Sequence, residues 1–251
     1  MECHIKKPQP PYVYICGAGP GDPGLLTLKT YHLLQHVAEV VVYDRLIPEA
    51  ILKMIPAHVE RRYAGKACKE HHMTQDEINA LLVEEAQKGK VVLRLKGGDP
   101  FIFGRGGEEM LYLQQHAIPF EIVPGVNAAD GCAAYCGIPL THRELASSVL
   151  FLTGHQQKGA AVTLDYASMV ATDRTLVIYM GLTHLEEITT RLIQAGLPET
   201  TPAVAIYQGT TDKQRTCFAT VESLYQKTTE AQFASPTIVI IGRVVSLGMP
   251  S

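Results

Sequence analysis

What is scarce in this chain narrows it first. Only 19% of its 251 residues are charged, the formal net charge is −3, and no basic run is longer than Arg61-Arg62. A protein that held nucleic acid by neutralising phosphates would need a concentration of lysine and arginine that is missing here. No stretch approaches the ~18 consecutive apolar residues of a membrane span. The opening MECHIKKPQPPYV also lacks the apolar segment of a signal peptide. Neither a nucleic-acid nor a membrane partner is therefore expected. The six cysteines (Cys3, Cys16, Cys68, Cys132, Cys136 and Cys217) include no C-x-x-C pair. With no export signal, the expectation is reduced thiols and a cytoplasmic location. Cys132 and Cys136 share a helix face, but no ligand cluster accompanies them. They read as small buried hydrophobes, and no metal is expected. There is no internal repeat and no low-complexity segment.

What the chain does have is a core: 46% of it is hydrophobic, enough for one large core or two modest ones. Strand and helix signals alternate, which points to an α/β fold. Strands are predicted at Tyr12–Cys16, Val40–Tyr43, Glu60–Tyr63, Val91–Leu95 and Phe120–Val123. Helices fall at about Thr27–Gln35, near Pro48–Ile55, from a Thr74/Glu77 capping box to Gln87 with Gly89 as the stop, and at about Gly106–His116. A domain boundary is placed at Pro124-Gly125, giving an N-terminal domain over 11–124 and a C-terminal domain over 125–251. A short apolar helix across Ala128–Cys136 follows. The second half carries strand signals at Val149–Thr153, Thr175–Tyr179, Ala203–Tyr207, Arg215–Ala219 and Thr237–Ile241. Its best helix is Leu185–Ala195, with Thr183 and Glu186 expected to cap its start and Gly196 and Pro198 to end it. The polar turn Gln208–Lys213 reads as a hairpin. A mostly parallel first sheet and a mixed second sheet follow.

Three small-residue turns sit where strands end. Gly17-Ala18-Gly19-Pro20-Gly21-Asp22-Pro23 follows the first strand and invites a dinucleotide reading, with Asp44 at the end of the second strand as the acidic partner. The third glycine of that fingerprint is replaced by Asp22, however, and Pro20 and Pro23 stiffen the loop. The stretch LKGGDPFIFGRGGEE (Leu95–Glu109) is far more telling. Gly97 and Gly98 stand at a strand's C-terminal edge, where open α/β sheets bind ligands. Gly106-Gly107 open a helix whose free N–H groups favour an anion, and Asp99 and Arg105 place opposite charges on one loop. Glu108, in that helix's first turn, is either a dipole-stabilising residue or a general base. The third turn is Val123-Pro124-Gly125-Val126-Asn127-Ala128-Ala129. Polar clusters at Thr141-His142-Arg143 and Thr153-Gly154-His155, and the strand end Tyr179-Met180-Gly181, complete the set. Either histidine alone is more often a packed polar residue, and His71-His72 reads as solvated surface.

These clusters, in this order, resemble the tetrapyrrole methylases, from about Tyr12 to Val245. The markers are GAGPGDPGLLTLKT, YDRL, LKGGDPFIFGRGGEE, VPGVNAA, GIPLTHR, TGH and YMG. Their form is closest to the members that methylate uroporphyrinogen III. The resemblance implies two α/β domains with S-adenosylmethionine in a cleft between them, no metal, and a homodimer. It implies C-methylation at two pyrrole carbons (C2 and C7) to give precorrin-2, the entry to sirohaem, cobalamin and haem d1, with S-adenosylhomocysteine as by-product. By analogy Pro20, Gly97, Gly98, Asp99, Asn127, Ala128, Met180, Gly209 and Thr237 line the cofactor. Asn127 departs from the family's usual Ser or Thr, and Gly209 from a small side chain in some relatives. Arg45, Arg105 and Arg143 stand in the motifs that face the polycarboxylate substrate, with Met180 beside them; a planar guanidinium fork suits that task. After each methylation a proton must leave the ring, and Glu108, Arg105 and His155 are the candidates to assist. Because arginine is too basic to abstract a proton, Glu108 is the favoured acceptor, and alignment of an already nucleophilic carbon supplies much of the acceleration. Members that also oxidise and metallate their product carry an N-terminal NAD-binding domain. About eleven residues precede the first strand here, so that activity is expected to be absent.

Three alternatives compete. A later precorrin methylase of the same fold is disfavoured by GRGGEE and LTHR. A nicotinamide-dependent oxidoreductase is disfavoured by Asp22. A non-catalytic sensor of tetrapyrrole or adenosylmethionine is disfavoured by the presence of Arg105, Glu108 and Met180 together.

Overall fold

The computed structural model describes residues 7–67, 71–154 and 165–248. The chain divides into two compact units, Met1–Asn127 and Ala128–Ser251.

In the first unit, β1 (Tyr12–Gly17), β2 (Val40–Tyr43), β3 (Glu60–Tyr63), β6 (Val91–Lys96) and β7 (Phe120–Val123) form one sheet in the order β3-β2-β6-β1-β7. Every pairing in it is parallel. The helices are α1 (Leu28–His36), α2 (Glu49–Leu52), α3 (Gln75–Gln87) and α4 (Gly106–Gln115). A two-stranded antiparallel pair, β4 (Lys66–Ala67) with β5 (His71–His72), stands apart from the sheet. The central strands read as near-continuous apolar runs because both faces are covered. Tyr14, Cys16, Leu93 and Leu95 pack with Leu33, Leu34 of α1 and Ile51 of α2 on one face. Val13, Ile15 and Val92 pack with Ile78, Leu82 of α3 and Leu113 of α4 on the other. Neighbouring strands β1 and β6 therefore send their chains to helices on opposite faces, the switch point at which such sheets open a crevice at their C-terminal ends.

The second unit begins with α5 (Ala128–Tyr135), followed by β8 (Ser148–Thr153), α6 (Tyr166–Met169), β9 (Arg174–Tyr179), α7 (Leu185–Gln194), β10 (Pro202–Tyr207), β11 (Arg215–Thr220), α8 (Leu224–Glu230) and β12 (Thr237–Ile241). The strand order is β11-β10-β12-β9-β8. Only β8 and β9 pair in parallel; the rest are antiparallel, so the sheet is mixed as expected. Helix α5 lays Ala129, Cys132 and Ala133 on one face, with Cys136 just after it. Leu185, Ile188 and Leu192 of α7 cover the other, with Met169 of α6 and Leu224 of α8. No helix among the described residues is long and apolar enough to cross a membrane.

Most predicted elements stand where expected, including the Thr74–Glu77 capping box and the hairpin between β10 and β11. Several details differ. Thr183 does not cap α7: it lies inside a 3-10 turn, Leu182–His184, and the helix starts after His184 without a side-chain cap. The helix near 48–55 is cut to Glu49–Leu52. Helix α8 was not foreseen because Leu224 and Thr228 are its only buried residues and its threonines are poor helix formers. Likewise α6 and the β4–β5 pair are too short to leave a periodic signal.

Candidate functional site

In the first unit the three turns after β1, β6 and β7 brace one another. Gly19 and Gly98 exchange backbone hydrogen bonds, Gly98 N to Gly19 O at 2.7 Å and Gly19 N to Gly98 O at 3.2 Å. A Cβ on Gly17 would lie 2.6 Å from Gly125 Cα and from Gly98 O, and one on Gly125 would lie 2.4 Å from Gly98 O. Main chain thus packs on main chain with no room for side chains, and Gly19 and Gly98 adopt φ of 73° and 68°. Asp99 completes the brace: Oδ1 accepts the Phe101 N–H at 2.8 Å and Oδ2 that of Gly125 at 3.1 Å. The predicted cofactor residues Gly97, Gly98 and Asp99 are therefore held on the edge of β6, beside half-buried Pro20 of the β1 turn.

That turn does not follow the dinucleotide pattern. Asp22 Oδ1 accepts the Gly24 N–H at 2.6 Å and opens a 3-10 turn, Pro23–Leu25, while α1 starts only at Leu28 behind a Thr27 cap. The helix N-terminus that would receive a pyrophosphate is displaced from the turn, and its Thr30 amide is already taken by the Thr27 hydroxyl. The residue at the third glycine position is there for its side chain.

The loop after Asp99 is locked by its own backbone. Gly106 N donates to Pro100 O at 3.0 Å, and a Cβ on Gly104 or Gly106 would stand 2.7 or 2.5 Å from the same oxygen. Phe103 (φ 52°) and Arg105 (φ 60°) occupy the left-handed region that only glycine enters freely. The result presents Phe101 and Phe103 to solvent, 52% and 39% exposed, with Arg105 beside them. Arg105 grips Glu108 in a bidentate pair, Nε–Oε1 at 2.8 Å and Nη2–Oε2 at 2.6 Å. That hydrogen bonding holds the Glu108 carboxyl below its ordinary value and raises Arg105. Glu108 is consequently ionised but weakened as a base while Arg105 stays in place.

Beneath this exposed pair lies a buried group that sequence reasoning missed. Arg94, Lys96 and Glu109 are 2%, 4% and 0% exposed. Glu109 Oε1 accepts from Lys96 Nζ at 2.8 Å and Arg94 Nε at 3.0 Å, and Arg94 Nη2 reaches Asp44 Oδ2 at 3.1 Å. Burial, with Arg94 close by, pulls Lys96 below its ordinary value. Glu109 Oε2 is buried with no partner among the described residues. The signal was present: two cations two residues apart in a strand covered on both faces must find counter-charges inside.

In the second unit the ends of β8 and β9 lie side by side. Thr153 pairs with Tyr179 in register, Gly154 N donates to Tyr179 O at 2.7 Å, and a Cβ on Gly154 would be 2.4 Å from Gly181 Cα. Met180 is left-handed (φ 52°) and 51% exposed, an unusual posture for a large apolar residue. Tyr179 Oη accepts the Ala129 N–H at 3.0 Å, tying this strand end to the start of α5, where Ala128 stands directly after Asn127. Gly209 sits between two left-handed residues, Gln208 and Thr210, and a Cβ there would meet Cys132 Sγ at 2.3 Å. Thr237 begins β12 and donates to Ala234 O at 2.5 Å. Cys132 and Cys136 are neutral thiols, pushed up by burial to about 12 and about 11. Arg45 of the first unit and Arg143 of the second are exposed, with no ion pair among the described residues. His155 lies outside the described residues, as do Cys3 and Cys68; the side chains of His71 and His72 are likewise not described.

Residues 12–225 match the family model of the Tetrapyrrole (Corrin/Porphyrin) Methylases. A siroheme synthase of Nitrosospira multiformis is 52% identical over 247 residues, 98% of this chain and 52% of that one. A siroheme synthase of Pseudomonas aeruginosa is 54% identical over 235 residues, 94% of this chain and 50% of that one. The chain spans about half the length of the curated relatives it matches. Among solved structures, the uroporphyrin-III C-methyl transferase of Thermus thermophilus complexed with S-adenyl homocysteine superposes with a TM-score of 0.80 at 39% identity, covering 94% of this chain and 99% of that one. A cobalt precorrin-4 methyltransferase superposes with a TM-score of 0.83 at 26% identity, covering 94% and 96%. Two α/β units, the glycine-braced turns and a family model spanning most of the sequence agree: the chain belongs to the tetrapyrrole methylases.

Proposed function

We propose that this chain catalyses S-adenosylmethionine-dependent C-methylation of uroporphyrinogen III at C2 and C7, giving precorrin-2 on the way to sirohaem and related tetrapyrroles. The observation that carries the reading is the near-full-length likeness to a uroporphyrin-III C-methyl transferase complexed with S-adenyl homocysteine. The residues fit such a donor. It carries a nucleoside but no phosphate, which suits a β1 turn where Asp22 stands in place of the third fingerprint glycine and α1 begins only at Leu28. We assign donor contacts to Pro20, Gly97, Gly98, Asp99 and Asn127 of the first unit and to Ala128, Met180, Gly209 and Thr237 of the second. When bound, the donor supplies a sulfonium-activated methyl group.

The chain's own contribution is orientation and charge. Arg45, Arg105 and Arg143 bind carboxylates of the macrocycle through their guanidinium forks. Phe101 and Phe103 offer apolar surface beside Arg105. Glu108 takes the proton lost after methylation once a substrate carboxylate draws Arg105 away and restores the basicity that the pair suppresses. His155 remains a second candidate for that step. We propose a cytoplasmic location. A homodimer is the expected assembly, with the apolar groove of about 580 Å³ lined by Ala133, Ala134, Leu140 and Phe151 as surface for a second copy.

Anaerobic incubation with uroporphyrinogen III and methyl-labelled S-adenosylmethionine tests the reading by counting labels per macrocycle. Two labels are expected. None overturns the assignment, and labelling of a later precorrin alone moves it to another member of the family.

A further inference from the structure

We infer that Arg94, Lys96 and Glu109 are positioning residues, a buried ionic lock that fixes Arg45 and Arg105 for the anionic substrate; the inference rests on the substrate reading above. Two features set the lock apart from a stabilising device. Buried ion groups lose so much hydration that apolar residues of similar volume commonly stabilise a fold as well or better. Glu109 Oε2 is moreover left without a partner among the described residues, so the group is not optimised for stability even on its own terms.

What the lock does is connect the end of β6 to the start of α4 through Glu109 and, through Arg94 and Asp44, to the turn after β2. Lys96 is the last residue of β6, directly before Gly97-Gly98. Glu109 belongs to the first turn of α4, and consecutive helix positions point about 100° apart. Drawing Glu109 inward onto Lys96 and Arg94 therefore turns Glu108 outward, where it holds Arg105. Arg94 carries the link to β2. Its Nη2 holds Asp44 Oδ2, while Asp44 Oδ1 accepts the Leu46 N–H at 3.0 Å. Arg45 is the residue between, so its backbone is clamped from the buried side. Leu46 in turn packs on the β6 turn, its Cβ 3.0 Å from where a Cβ of Gly97 would be. Rigid support of this kind is what lets surface guanidinium groups wait in a productive arrangement.

The triple variant Arg94→Met/Lys96→Met/Glu109→Leu replaces the charges with apolar volume. It is expected to melt at or above the wild-type temperature and to bind S-adenosylhomocysteine within about twofold of wild type. Hydrogen exchange at the Leu46 amide should rise, and KM for uroporphyrinogen III should rise on the order of tenfold or more with a smaller fall in kcat. Arg94→Lys is the milder variant: it keeps the charge but cannot span Glu109 and Asp44 together, and it should show the same two changes in smaller measure. Wild-type KM and wild-type Leu46 exchange in either folded variant overturn the inference, as does loss of S-adenosylhomocysteine binding in parallel with turnover. If the wild-type chain itself transfers no methyl group, the substrate reading fails, while Leu46 exchange still decides whether the lock holds the turn.

Discussion

The phenolic oxygen of Tyr179 accepts the backbone N–H of Ala129 at 3.0 Å. One bond thus joins the end of β9, where Met180 is presented, to the first turn of α5, where Ala128 stands. Tyr179→Phe removes the acceptor and leaves an amide at the helix start without this partner. We expect a loss of about 1 kcal/mol in unfolding free energy and weaker S-adenosylhomocysteine binding, measured by denaturant titration and calorimetry. Unchanged affinity would show that the two cofactor candidates are supported independently.

Two glycines in the first unit should respond oppositely to alanine. Gly17→Ala drives a methyl group to 2.6 Å from Gly125 Cα and Gly98 O, so the braced turns must separate. The expected cost is about 1–3 kcal/mol, the usual range for forcing extra volume into a packed site. Gly107, in the first turn of α4, has nothing within 4 Å of the corresponding position. Gly107→Ala should stabilise by about 0.5–1 kcal/mol through helix propensity. Unfolding midpoints of the two variants against wild type decide both.

Acid stability should depend on Glu85. Burial pushes its carboxyl up, but hydrogen bonds from Lys88 and Lys90 outweigh burial and bring it down to about 2. A carboxyl depressed in the folded state contributes stability that is full above its unfolded value and is lost as pH falls through the folded one. Glu85→Gln should therefore cost about 1–3 kcal/mol at neutral pH, and the gap to wild type should close between the ordinary carboxylate range and pH 2. A gap that stays constant across that window would rule out the ion group as its source.

The Arg105–Glu108 pair makes two linked claims. Arg105→Lys cannot reproduce the bidentate fork, so turnover should fall at least tenfold while S-adenosylhomocysteine affinity changes little. Arg105→Gln removes the charge that holds Glu108 low, so the acid limb of the pH–rate profile should move upward if Glu108 is the proton acceptor. An unmoved limb would assign that step elsewhere, His155 first.

Much of this fold is legible in the amino-acid sequence. Alternating apolar runs gave both sheets, because strands buried on two faces leave a strong signal in residues such as Val91–Leu95. The glycine-rich turns were legible as strand-end turns, and that of Gly97-Gly98 as a ligand-binding edge, but not that Gly17, Gly98 and Gly125 make room for one another's backbone. Glu108 drew the eye over Glu109 because a lone sequence does not say which of two adjacent glutamates a helix turns inward. Phase is set by tertiary partners, here Lys96 and Arg94 on the preceding strand, beyond the reach of the helix's own periodicity. The failed Thr183 cap has a similar origin: the helix begins at Leu185 as expected, but a 3-10 turn over Leu182–His184 takes up the threonine and leaves His184 at the cap position.

The mutual bracing of the turns after β1, β6 and β7 has a bearing on how this fold can be altered. Because Gly17, Gly98 and Gly125 occupy one another's side-chain space and Asp99 ties two of those segments together, none of the three can be exchanged alone for a relative's version. Respecifying this edge of the molecule by grafting would require moving all three segments as a set, together with the aspartate that staples them.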